Sequence, residues 1–117
     1  MNSWTFTIQG PPVACERPRV VAGRAFTPSK TSKAERAIGS LAQLVGIRVE
    51  SCCRITIAAF FADLRRRDLD NVAKTVLDGL APVLPDDNWT VVRELRITGA
   101  LDRANPRTVV TVELIDG

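Results

Sequence analysis

Apolar and polar residues alternate through Trp4-Thr-Phe-Thr-Ile8, which predicts a first strand with Trp4, Phe6 and Ile8 facing inward. Gly10-Pro-Pro12 stops it, and Arg19-Val-Val21 and Arg24-Ala-Phe26 then flank Ala22-Gly23, the pattern of a short basic hairpin. From Thr27-Pro-Ser-Lys30 the apolar period lengthens. Thr27 or Ser29 can cap a helix whose buried face is Ala34, Ala37, Ile38, Leu41 and Leu44, with Gly46 ending it and Lys30, Lys33 and Arg36 off that face. Residues 52–62, centred on Arg54-Ile-Thr-Ile-Ala-Ala-Phe-Phe61, favour a half-buried central strand. Leu69, Val72, Val76 and Leu80 recur at helical spacing and predict a second helix from Leu69 to Ala81, which Pro82 and Pro85 cannot continue. Pro85-Asp-Asp-Asn88 reads as a turn, Trp89 to Thr98 as a strand, 99–106 as a polar loop, and Thr108 to Ile115 as a last strand with Val110, Val112 and Leu114 on one face. The order implies one α+β domain over residues 1–117, a mixed sheet of about four to six strands packed with two helices.

Composition narrows the chemistry. A chain of 117 residues can bury a core without disulfides or a structural metal, and 45% apolar with 25% charged residues is ordinary for a soluble globular protein. No apolar run is long enough to cross a bilayer and the N-terminus lacks a signal-peptide pattern, so a cytoplasmic protein is expected. Histidine and tyrosine are absent. That excludes Ser-His and Cys-His nucleophile pairs, histidine-metal motifs and a phosphotyrosyl intermediate. Cys15, Cys52 and Cys53 have no histidine with which to complete a metal set and are read as reduced, structural thiols. The net charge is only +3, but Arg17, Arg19, Arg24, Lys30, Lys33 and Arg36 face a single acid, Glu35, within their stretch. Such clustering is the footprint of a phosphate-backbone binder. No Asp or Glu stands two residues before any of the three lysines, so the Asp/Glu-x-Lys nuclease signature is missing. For phosphodiester chemistry, a carboxylate-bound metal is the main route left.

The candidate site lies where the central strand meets the second helix, at Leu64-Arg-Arg-Arg-Asp-Leu-Asp-Asn-Val-Ala-Lys74. Asp68 and Asp70 are one residue apart, and like charges at close range disfavour each other's ionisation unless a cation relieves them. Mg²⁺ takes oxygen ligands from one or two carboxylates together with phosphates and waters. Asp70, Lys74 and Asp78 are spaced four apart and share a helix face, Asn71 stands beside Lys74, and Arg65, Arg66 and Arg67 bring phosphate-binding charge. The same residues admit a plainer account: Asp68 as a helix cap, Asp70 as a first-turn acid, Asp70–Lys74 as a surface ion pair, and the arginines as a solvated run. Asp63 and Asp78 read as solvated or capping acids, and Trp4 and Trp89 as core or interface packing.

The chain resembles the RusA-type Holliday-junction resolvases. The resemblance is carried by Arg65-Arg-Arg-Asp-Leu-Asp-Asn-Val-Ala-Lys74, Leu77-Asp-Gly-Leu80 and Asp86-Asp87 ahead of a Val-Val strand, with Gly10-Pro-Pro-Val13, Arg17-Pro-Arg19 and Thr27-Pro-Ser-Lys30 at the front. It implies a Mg²⁺-dependent endonuclease, with Mn²⁺ as a substitute, that acts as a homodimer and resolves four-way DNA junctions by paired nicks on opposing strands. Asp68, Asp70 and Asp87 match the catalytic metal-binding acids, Asp86, the first acid of the pair, is a further expected metal ligand, and Lys74 matches the functional lysine. Arg65, Arg66, Arg67 and Asn71, with Arg17, Arg19, Arg24, Lys30 and Lys33, are the expected DNA contacts. Neither a small-molecule cofactor nor a membrane is implied, and a phage or prophage origin in a bacterial cell is expected. Asn88-Trp-Thr90 departs from the family, whose members often carry a short polar residue and glutamine before the valines. Two other readings stand beside this one: a non-catalytic module binding branched DNA, and a broader nuclease cutting flaps or forks.

One geometric question stays open in the sequence. Ala81 is roughly 15 Å from Asp70 along a helix axis. Asp87 returns to Asp70 only along a nearly extended step at ~3.3 Å per residue. Otherwise it would approach a partner subunit's acids.

Overall fold

The computed structural model describes residues 2–16, 19–26 and 29–116, with the backbone alone at 19–21, 25 and 26. Strands β1 (Ser3–Gln9), β2 (Arg19–Val21) and β3 (Arg24–Phe26) precede helix α1 (Ser29–Leu44). Then come β4 (Cys53–Phe61), α2 (Leu69–Gly79), a 3₁₀ turn (Ala81–Val83), β5 (Val92–Leu101) and β6 (Arg107–Leu114). The protein is therefore α+β, with a four-stranded mixed sheet in the order β1-β6-β4-β5 and two helices. Only β4 and β5 run parallel; β1–β6 and β4–β6 are antiparallel. A parallel pair needs a crossover, and α2 supplies it. The crossover puts the loop carrying the acids at the carboxyl end of β4, where α/β units usually place their ligands. No described helix is long and apolar enough to cross a membrane.

The period-two pattern of the sheet is obeyed. Cys53, Ile55, Ile57 and Ala59 of β4 and Thr108, Val110 and Val112 of β6 point into the core, with Phe6 of β1 beside them. Trp4 and Ile8 pack at its margin. The opposite face is polar: Arg54 bonds Glu94 on one neighbour and lies 3.5 Å from Glu113 on the other, and Thr5 bonds Thr111 across the strands. The two-residue hairpin is present as well. Val21 pairs with Arg24, and Ala22 (φ 53°) and Gly23 (φ 78°) both have the positive φ that a type I′ turn requires.

Helix α1 differs from its expected orientation. Thr31, Ile38, Gly39 and Ala42 are its buried residues, Ala34 and Leu41 are only partly covered, and Ala37 is exposed, as is Leu44 at 81%. The cause is a close crossing with α2. A Cβ on Gly79 would stand 2.7 Å from the Ile38 Cβ, and one on Gly39 would stand 3.0 Å from the Gly79 carbonyl oxygen. Two glycines thus let the backbones approach and turn Ile38–Gly39–Ala42 inward, an effect no single-helix periodicity contains. Gly46 (φ 82°) ends the helix as expected: its N–H donates to the Gln43 carbonyl and that of Ile47 to the Ala42 carbonyl, the two bonds of a Schellman motif. Thr27, the alternative cap, lies outside the described residues, and Ser29 is already helical.

Further boundaries move: strand β5 runs on to Leu101, so Gly99, Ala100 and Leu101, expected in a polar loop, pair with Ala59, Phe60 and Phe61 of β4. Helix α2 ends at Gly79 and tightens into the 3₁₀ turn. Strand β5 begins at Val92 rather than Trp89, because the Asn88 carbonyl accepts the N–H groups of both Val91 and Val92 and keeps 88–91 in a turn. All three cysteines are free, as read. Burial first, and the neighbouring Cys52 second, push the Cys53 thiol up to about 11, and Cys52 donates to the Ile115 carbonyl. Neither is poised to react.

Candidate active site

The corner between β4 and α2 is held by its own side chains. Asp63 accepts the Arg65 backbone N–H at 3.0 Å and lies 2.7 Å from an Arg67 guanidinium nitrogen. Arg67 also donates to the carbonyls of Asp63 and Arg65 and stacks over Phe61, 5.1 Å from the ring centroid. The hydrogen bond from Arg67, and then that from Arg65, hold the Asp63 carboxyl below the ordinary carboxylate range. Asp63 and Arg67 therefore act as a clasp on the loop. Arg65 and Arg66 project from it, 84% and 93% exposed, and are free for a partner.

Asp68 occupies the N-cap position of α2 with extended φ and ψ, yet its carboxylate makes no capping hydrogen bond. Its nearest cation is Arg66, 3.9 Å away. An acid at a helix N-terminus is favoured by the dipole whether or not it caps, and here the oxygens stay open to solvent. Asp70 in the first turn accepts only the Asn71 backbone N–H, at 3.0 Å. The surface pair Asp70–Lys74 is not formed. Lys74 instead donates to Asp78, one turn further on, at 3.4 Å. Coulombic attraction to Asp78, then the hydrogen bond itself, raise the Lys74 pKa, so the ammonium persists throughout the physiological range.

Asp87 returns to this helix within the same chain. Asp70, Lys74, Asp78 and Asp87 line one cleft of about 360 Å³, floored by Ala73, Leu77, Leu95 and Ile97. The extended step anticipated for Ala81 to Asp87 is not used: the chain passes through the 3₁₀ turn, is anchored by buried Leu84, and turns back. It need not be extended because the cleft follows the middle of α2, so Asp87 meets Asp70 across a gap. Asp86 has a different task, accepting the N–H groups of Asp87 (2.7 Å) and Asn88 (3.2 Å) and so fixing the turn that presents Asp87.

The remaining expected contacts are dispersed. Lys30 and Lys33 are exposed on α1 and Arg24 at the start of β3; Arg17 lies outside the described residues, and only the backbone of Arg19 is described. The Cys15 N–H donates to the Asn71 carbonyl at 2.8 Å, which ties the segment leading to the hairpin to the site helix. Asp78 and Glu35 matter more than their sequence context suggested. Desolvation first, then Asp78, raise the Glu35 pKa, placing this α1 acid against the Lys74–Asp78 pair. The i,i+4 spacing of Lys74 and Asp78 was the available signal for one; nothing local signalled the other.

The donor set suits a hard cation in an open site. Asp70 and Asp87 both line one open cleft with Lys74, and Mg²⁺ is held through one or two carboxylates while keeping several waters. Among the described residues no three His, Cys, Asp or Glu side chains come together to hold a metal ion, and Asp68 does not line the cleft. Such a site depends on phosphate oxygens and water to complete the shell, so substrate and cation would bind together. The family model described as Endodeoxyribonuclease RusA matches residues 9–113, from the end of β1 through β6. No curated protein sequence matches the chain.

Proposed function

The chain belongs to the RusA endodeoxyribonuclease family, and from that premise we propose that it resolves four-way DNA junctions as a homodimer, nicking opposing strands with the help of Mg²⁺. The single observation carrying the reading is the common cleft of Asp70, Lys74 and Asp87. Asp70 and Asp87 would hold the cation, and Asp68 would have to move toward them to join as a third ligand. When bound there, it supplies Lewis acidity to the scissile phosphate and activates water. Mn²⁺, with similar oxygen preference, would substitute.

The chain's own residues do the rest. Lys74, kept charged and aimed by Asp78, would stabilise negative charge developing on the phosphate or the leaving oxygen. Asp86 would hold the turn that presents Asp87. Arg65, Arg66, Lys30, Lys33 and Arg24, all exposed, would supply salt-dependent affinity for the backbone. Arg67 would act on the DNA only through the loop it clasps. Such a protein would work in the cytoplasm, where its DNA lies.

The test is an end-labelled four-way junction beside a matched duplex, each with Mg²⁺ or EDTA, and with Asp70→Asn. Symmetric nicks on the junction alone, lost with EDTA and in the variant, are expected. Binding without nicks under any divalent metal would leave a branched-DNA-binding module, and equal cutting of the duplex would leave a nuclease of broader habit.

A further inference from the structure

Trp89 does not pack in the core. It is 74% exposed, and it is the only aromatic among the large apolar side chains exposed in the described residues. The turn that carries it is rigid: Asp86 fixes the start, Asn88 accepts the Thr90 N–H at 2.8 Å, and the Asn88 carbonyl takes the N–H groups of Val91 and Val92. Buried Leu84 and Val91 pin the chain on either side. The indole is thus held out by a braced turn, two residues beyond Asp87 in the cleft. One face is occupied: the Arg93 guanidinium lies 5.4 Å from the ring centroid and is itself tied to the Thr90 carbonyl at 3.2 Å.

An indole with one face backed by a guanidinium and the other open can stack a nucleobase on the open face, the guanidinium holding the ring from behind. We propose that Trp89 is a nucleobase-stacking residue that captures an unpaired or splayed base next to the cleaved phosphate, with Arg93 setting the ring's orientation. The inference rests on the DNA-cleaving reading above and names the feature of branched DNA this chain engages. A duplex interior offers no free base face; a junction crossover, with its readily unstacked bases, does. The ring therefore favours branched over linear DNA.

The test uses Trp4→Phe protein, in which Trp89 is the only tryptophan. Its fluorescence is followed during titration with a four-way junction and a matched duplex in EDTA, and Trp89→Ala and Trp89→Phe are titrated by anisotropy. Quenching by the junction and not the duplex is expected, with Trp89→Ala weakening junction binding about tenfold and Trp89→Phe retaining most of it. The slope of log affinity against log salt should be unchanged in Trp89→Ala, since a stacked base releases no counterion, whereas loss of a phosphate contact would lower that slope by about one. Unquenched fluorescence with unchanged affinity overturns the proposal. So does a drop in light-scattering mass for Trp89→Ala, which would assign the ring to a second copy of the chain. Nicking in Mg²⁺ with a silent Trp89 removes this inference alone. A quenched Trp89 on a junction that is never nicked removes the enzymatic reading and leaves the stacking site.

Discussion

Gly79→Ala is the substitution whose consequence can be worked most closely. The added methyl would stand 2.7 Å from Cβ and 2.8 Å from Cγ2 of Ile38, and 3.1 Å from the Glu35 carbonyl oxygen. Two of those atoms are fixed to the α1 backbone, so no rotamer change makes room and the helices must part. Overpacking of this kind costs about 1–3 kcal/mol, and the rigidity of the neighbours puts it near the upper end. Alanine returns up to ~1 kcal/mol of helix propensity, less at a helix's last turn. The net destabilisation is about 2 kcal/mol. With an unfolding entropy of ~2.1 cal/mol/K per residue, the 117-residue chain should lose about 8 °C in Tm. Gly39→Ala, whose nearest new contacts are 3.0 and 3.4 Å, should lose less. Ile38→Ala removes the Cγ2 conflict, so introducing it into Gly79→Ala should cost about 1 kcal/mol less than introducing it into the parent. Thermal unfolding by circular dichroism of the parent, the three single variants and the double variant decides the matter. A Gly79→Ala protein as stable as the parent, or simple additivity with Ile38→Ala, would refute the glycine crossing as the reason α1 is turned.

Further outcomes follow from the site. Lys74→Ala should lower the nicking rate about 10²–10³-fold with junction binding little changed, measured by single-turnover cleavage and anisotropy. Asp78→Asn should lower it less and move the basic limb of the pH–rate profile to lower pH, because Asp78 raises the Lys74 pKa and its loss lets the ammonium deprotonate sooner; an unmoved limb would separate Asp78 from Lys74. Asp63→Ala frees the Arg67 clasp, so trypsin should cut after Arg65 or Arg66 faster than in the parent, and unchanged digestion would contradict the clasp. Hydrogen bonds from Arg67, Arg54 and Arg107 respectively depress the pKa values of Asp63, Glu94 and Asp102. Their stabilisation is complete above the ordinary carboxyl values near ~4 and is lost as pH falls through the depressed ones. Glu35, raised by burial, works in the opposite sense. Tm should therefore hold from neutral pH to about 5 and fall below ~4; a fall already under way at pH 6 would point to other groups.

The strands, the hairpin and the corner acids were legible because local chemistry decides them. Alternation places Ile55, Ile57, Val110 and Val112 inward, and Ala22-Gly23 meets the φ demand of its turn with no help from elsewhere. What escaped depends on contacts between distant elements. The face of α1 is set by Gly79, forty residues after Gly39. Arg67 reads as one of three equivalent arginines until Asp63 and Phe61 are seen around it. Trp89 alternates correctly for a strand that the Asn88 bonds prevent from starting there. The return of Asp87 turns on how far along α2 the cleft lies, which spacing alone leaves open.

The central claim is that Asp70, Lys74 and Asp87 of one chain form one site. Co-expressing Asp70→Asn and Asp87→Asn subunits under different affinity tags, purifying the mixed dimer through both and assaying junction nicking tests it most directly, with the mixed dimer of wild type and the Asp70→Asn/Asp87→Asn double variant, purified in the same way, as the control. No nicks are expected from the first mixed dimer and nicks from the second. Recovered nicking in the first mixed dimer would contradict the claim, because only a site assembled across two subunits could then be whole.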